Sequence, residues 1–217
     1  MAAEKVRTTR RTLMNYLGLL GIVSLLSYTA AVVLSPLSYP GYNWMTAAVS
    51  DLSAESAPSR TLWKQLAALF MPCGIVCCTL CSVAVGGRYS RTLRLGVYLF
   101  TVMNWVSAIG YAAFPLTEAG RSGGFQNTMH LVVTALVVVL AVVSLTMMII
   151  GGSVYGSCHG LTLFSALALF FMILGAVGVM LFPPRYFGLF ERFSTFSSVA
   201  FNAVLGILLY KGFEERA

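Results

Sequence analysis

Charge is what this chain has least of. Of its 217 residues only 10% are Asp, Glu, Lys or Arg, and just seven of those are acids. A soluble fold carries about 25% charged residues, so this chain could not cover its own surface in water. With 58% of residues apolar and a mean hydropathy of +0.83, it reads as an integral membrane protein.

Histidine is almost as scarce, with only His130 and His159. They fall on opposite sides of the expected topology, so a zinc hydrolase with several histidine ligands lacks its donors. A divalent-cation site would have to draw on the carboxylates of Asp51, Glu118 or Glu191. No metal and no cofactor is expected. The excess of basic residues, net +7, does not point to nucleic acid either. Those residues sit in tails and short connectors beside apolar runs and form no stripe interleaved with stacking aromatics. Membrane lipid is the expected partner.

Five cysteines are present. Cys73, Cys77 and Cys81 repeat every four residues and share one helix face, roughly 6 Å apart stepwise. A metal or redox centre needs ligands converging from several directions, so these thiols are read as small packing groups.

What the chain does have is long apolar runs. Six fall at about 13–37, 62–86, 95–114, 129–150, 161–182 and 196–213, each near the ~20 residues needed to cross hydrocarbon. The first is too long for the core of a cleaved leader and is read as a retained span. The reading is therefore all-α, one domain of six transmembrane helices with a short interfacial helix after the first. Pro72 is expected to kink the second span. The third and fifth spans end alike, at Gly110–Phe114–Pro115 and Gly178–Phe182–Pro183.

With the N-terminus in the cytoplasm, Lys5, Arg7, Arg10, Arg11, Arg88, Arg91, Arg94, Lys211 and Arg216 lie inside. Arg60, Lys64, Arg121, Arg185 and Arg192 then lie outside, an asymmetry that places both termini in the cytoplasm.

The polar residues gather on the outer side. Connector one supplies Tyr42, Asn43, Ser50, Asp51, Ser53 and Glu55, and connector three supplies Glu118, Arg121, Gln126 and Asn127, with His130 opening the fourth span. Connector five supplies Arg185, Glu191 and Arg192. Asn43 can cap a helix over 44–52, which makes connector one either an interfacial anchor or a lid with Asp51 pointing inward. Asp51 needs a partner, and the candidates are His130, Arg185, Arg192 or an amide of its own turn. Glu191 and Arg192 are adjacent and do not face each other on a helix. Arg192 is expected to reach a carboxylate elsewhere or a lipid phosphate, and Glu191 a different cation. Asn104 and Asn202 are expected to hydrogen-bond across helices.

The run YPGYNWMTAAVSDLS after the first span resembles the bacterial and archaeal membrane family called domain of unknown function 998. So do the Phe–Pro end of the third span, the histidine opening the fourth and the Glu191–Arg192 pair. Ser53 stands where that family usually has glycine. Val49–Ser50–Asp51 with Pro58, and Gly124–Phe125–Gln126 with His130, are more remotely similar to the DRAM and FRAG-type membrane proteins. The resemblance implies a six-helix bundle in a bacterial plasma membrane and supplies no reaction. Three functions stay open. The leading one is an outward polar pocket that binds lipid head groups or another amphiphile. The second is a lipid-modifying enzyme with Asp51 and His130 as base or orienter and Arg185 or Arg192 on a phosphate. The third is a small-solute transporter, for which the spans hold few ionisable groups.

Overall fold

The computed structural model describes residues 11–118, 123–155 and 158–213. Arg121, Arg216 and residues 1–10, which entered the orientation count, lie outside them. Among the described residues all regular structure is helical. Six helices are long and apolar enough to cross a membrane: Leu13–Ser38, Arg60–Ala84, Arg91–Ala113, Phe125–Val154, His159–Leu181 and Pro184–Tyr210. Every span after the first begins earlier than its apolar run, the sixth by most, at Pro184 rather than 196. Helix starts such as Gln126–Asn127 and Glu191–Arg192 are polar because they leave hydrocarbon there, yet the backbone ladder continues through them.

Two spans are composite. The first joins α1 (Leu13–Leu17) to α2 (Leu20–Leu34) at Gly18. Here Gly18 lies against Gly206 so closely that a Cβ on either would run into the other's carbonyl. Small residues allow this backbone approach where lipid offers no hydrophobic drive to associate. The second span joins α3 (Arg60–Leu66) to α4 (Phe70–Ala84), with the interruption just ahead of Pro72. Proline lacks the N–H that would bond the carbonyl four residues back. Hydroxyls from α2 take up carbonyls around the break: Ser27 donates to Leu66 O at 2.5 Å and Ser24 to Phe70 O at 2.7 Å. The break thereby keeps its polar groups paired in an apolar setting.

Helices α5 (Arg91–Ala113), α6 (Phe125–Tyr155), α7 (His159–Leu181) and α8 (Phe187–Tyr210) pack in sequence, and α2, α4 and α8 all meet one another. The core between them holds Leu93, Leu145, Leu161 and Leu205, with Phe100 edge-on to Phe201 at 5.1 Å. Cys77 and Cys81 are buried in it, and their thiols lie 3.5 Å from Gly18 O and Leu205 O. They act as small packing groups with weak donors. Asn202 donates to Gly74 O across helices at 3.1 Å, whereas Asn104 bonds Phe100 O in its own helix. The cross-helix expectation therefore fails for Asn104, which finds a nearer carbonyl one turn back.

The matched ends of the third and fifth spans fold alike. Phe114 N–H bonds Gly110 O, and Phe182 N–H bonds Gly178 O. One expected element takes another form. No regular helix runs over 44–52; the short interfacial helix is a single 3-10 turn, Ser50–Ser53.

Candidate functional site

Side chains explain why connector one does not coil into a helix. Asn43 Oδ1 accepts from Met45 N–H at 3.0 Å, and Asp51 Oδ2 accepts from Ala48 N–H at 2.9 Å. Such local bonds offer the backbone an alternative to a helical ladder. The remaining groups are claimed from a distance by the start of α8. Met45 O accepts from Gly188 N–H at 2.8 Å, and Val49 N–H donates to Glu191 Oε2 at 2.7 Å. Arg192 Nη1 donates to Trp44 O at 2.7 Å, to Ala47 O at 3.2 Å and to Gly188 O at 2.7 Å. Its other terminal nitrogen donates to the Tyr42 hydroxyl at 2.6 Å, and that hydroxyl donates onward to Ala48 O at 2.9 Å.

The first and last spans are thus joined at one end of the bundle by the Glu191–Arg192 pair. The two side chains do diverge, as their adjacency requires. The partners differ from expectation: Arg192 holds backbone carbonyls and a phenol rather than a carboxylate, because Gly188 lets connector one settle directly on α8. A Cβ at Gly188 would collide with the carbonyls of Ala47 and Trp44. Burial pushes the Tyr42 phenol above its ordinary pKa, with the charge and hydrogen bond of Arg192 pulling the other way.

A second polar group lies across connector three. His130 is buried, and its Nδ1 is 2.9 Å from Phe114 O. A carbonyl partner fixes that nitrogen as the N–H in the neutral ring. Tyr111 packs on the imidazole with centroids 4.9 Å apart and donates to Thr134. Asn127 Oδ1 accepts from both N–H and hydroxyl of Thr117 at 2.9 Å, and Gln126 donates to Ala113 O at 3.3 Å. Two backbone bonds tie this group to connector one, Glu55 N–H to Leu116 O and Ser56 N–H to Thr117 O.

Tyr42, Asn43, Asp51, Glu191 and Arg192 therefore meet in one assembly, and Gln126 and His130 in a neighbouring one, while Ser50 opens the 3-10 turn, where its carbonyl accepts from the Ser53 hydroxyl. Glu118 is exposed at the edge of connector three. Arg185 is exposed and lies over the Tyr186 ring at 4.9 Å, outside both groups. Asp51 accepts from Ala48 N–H in its own turn, the bond that the anchor reading expects. Among the described residues no three His, Cys, Asp or Glu side chains converge as a metal-binding set.

Three further residues in and around these groups were not legible as such. Gly188 has its signal only in the glycine ahead of Glu191–Arg192. Tyr28 is buried in α2 among Trp63, Phe70 and Phe196, with centroids 4.7–6.2 Å apart. Glu191 lies within electrostatic reach of Tyr28 and of Tyr111. Nothing in the local sequence marks either tyrosine.

Along α7 and α8 runs an apolar groove of about 370 Å³, beside which Arg192 turns its terminal nitrogens onto connector one and Gly188 O. A family profile described as protein of unknown function (DUF998) matches residues 22–208. The chain belongs to the DUF998 family. The match spans the clamp from Tyr42 to Arg192, the broken second span and the His130 group, so all of these lie within the DUF998 region. No curated protein and no solved structure matches the chain.

Proposed function

We propose that this DUF998 protein is a non-catalytic lipid-binding protein of the bacterial plasma membrane. Both termini face the cytoplasm, and connectors one, three and five face outward. The clamp formed by connector one and α8 receives the head group of an anionic amphiphile. One observation supports this reading above others. Arg192 is only partly buried and its four hydrogen-bond partners are neutral, so they fix the guanidinium near the start of α8 while the neighbouring carboxylates of Asp51 and Glu191 accept from backbone amides of connector one. Guanidinium suits phosphate and carboxylate because it offers five donors in a planar fork.

The test is a titration of purified, delipidated protein in neutral detergent, followed by native mass spectrometry. Short-chain phosphatidylglycerol and phosphatidylcholine are the two probes. Preferential retention of phosphatidylglycerol, lost in Arg192→Gln, supports the reading. Equal retention of both lipids sinks it.

A lipid-modifying enzyme is the second reading. What favours it is His130: with Nδ1 held on Phe114 O, Nε2 keeps its lone pair and can serve as a base. Loss of a lipid product in His130→Gln, with the fold intact, would move the assignment there.

A further inference from the structure

Along its first stretch, connector one is held against α8 mainly by polar contacts. From Gly41 to Ala48 no residue is buried, and the first that is, Val49 at 5% exposure, packs with Tyr28 of α2. A segment with so little buried apolar contact sits at the low-stability end of a fold. It is also jointed. Gly41 has a φ of +81°, which glycine adopts without strain, and nothing lies within 4 Å of the place its Cβ would take. At the other end Val49 is seated in the core, and Glu191 Oε2 accepts from its N–H.

Those polar contacts fill the donors that an anion would use. Met45 O accepts from the Gly188 and Leu189 amides at 2.8 and 3.3 Å. Trp44 O, Ala47 O and the Tyr42 hydroxyl accept from the terminal nitrogens of Arg192 at 2.7, 3.2 and 2.6 Å. Each of these acceptors is neutral. A phosphate oxygen on a guanidinium makes a charge-assisted bond, about twice as strong as a neutral one. The carbonyls of connector one also lose little on release, because at the end of the bundle they pass to water. Group for group, connector one is the weaker ligand.

We infer that residues 42–48 form an autoinhibitory strap, whose carbonyls occupy Arg192 and the Gly188 and Leu189 amides until an anionic head group displaces them. The inference rests on the head-group reading above and adds to it how that site is regulated. Glu191 stays on Val49 N–H throughout, so the carboxylate next to Arg192 keeps a partner outside the exchange. The observed affinity is then the intrinsic affinity scaled by the fraction of strap that is open. Whatever weakens the strap strengthens binding, and whatever removes the guanidinium abolishes it. Were the strap bonds there only to shape the site, weakening them would have the opposite sign.

The experiment uses full-length protein in neutral detergent, with short-chain phosphatidylglycerol as the probe and phosphatidylcholine as the control. Chymotrypsin reports the state of the strap. Cleavage after the exposed Trp44 is expected to speed up severalfold with phosphatidylglycerol and to stay at its basal rate with phosphatidylcholine. Tyr42→Phe, which removes one tie to Arg192, should bind phosphatidylglycerol about two- to tenfold more tightly than the parent. Arg192→Gln should bind none. Slower or unchanged cleavage on binding overturns the strap, as does weaker or unaltered binding by Tyr42→Phe. If phosphatidylglycerol is preferred over phosphatidylcholine in that case, the head-group reading survives and only the strap is lost. If that preference is also absent, both are lost. Release of the strap by inorganic phosphate at the same concentration supports the displacement and overturns a lipid as its source. Should Tyr42→Phe fail to fold, Gly188→Ala decides in its place. Its Cβ pushes the Trp44 and Ala47 carbonyls away, so tighter binding is again the expected result.

Discussion

Arg192 and Tyr42 are 150 residues apart and joined by a 2.6 Å hydrogen bond, which the Tyr42 hydroxyl relays to Ala48 O. The phenol is acceptor and donor at once, so removing it breaks two bonds and leaves the guanidinium otherwise seated. Tyr42→Phe is expected to loosen connector one by about 1–2 kcal/mol, one net hydrogen bond or two. Hydrogen exchange at 44–49 should rise, with the spans unaffected. Unchanged protection there would mean that the relay contributes nothing.

The same phenol predicts a pH response. Its pKa in the fold is raised above the ordinary value of 10.0, first by burial. The protonated form is thus favoured by folding, and its stabilisation is complete below pH 10 and lost as pH rises through the higher value. Protection of connector one should be flat through neutrality and fall only in strong alkali. Tyr42→Phe should flatten that fall.

Gly188 is the steric condition for the clamp. A methyl group there meets two carbonyls of connector one, so Gly188→Ala should displace the connector even though alanine favours helices. The expected result is lower thermal stability together with proteolytic cleavage between 44 and 50. A variant as stable as the parent would contradict the packing.

The cysteines give a prediction of indifference. Changing Cys73, Cys77 and Cys81 together to alanine removes small buried volumes, at about 1 kcal/mol for each of the two fully buried ones. Lipid retention should persist. Loss of a bound metal on that change would reverse the packing assignment.

Orientation is tested by reporter fusions after Gly87 and after Gly123. They should report opposite sides, with Gly87 cytoplasmic. Agreement between the two would break the six-span topology.

The spans could be read in the sequence because apolar length alone specifies them. The break ahead of Pro72 was readable for the same reason, since proline's missing donor is a local fact. Connector one was not. Its composition favours a helix over 44–52, with Ala47 and Ala48 in the middle. The carbonyls of Trp44 and Ala47 are nevertheless taken by Arg192, about 145 residues away, and no local window contains that competitor. His130 and Glu191–Arg192 stood out because ionisable groups are rare here. Their partners, almost all backbone groups, carry no side-chain signature to find.

The clamp also imposes an order of events on biosynthesis. Residues 42–51 leave the ribosome long before 188–192, so the first connector emerges with its carbonyls and amides still in water. It can take its final shape only after the sixth span has been inserted. A chain stopped after the fifth span would be threaded through the membrane and remain open at that end. Closure of the connector therefore reports that synthesis has passed the start of the sixth span.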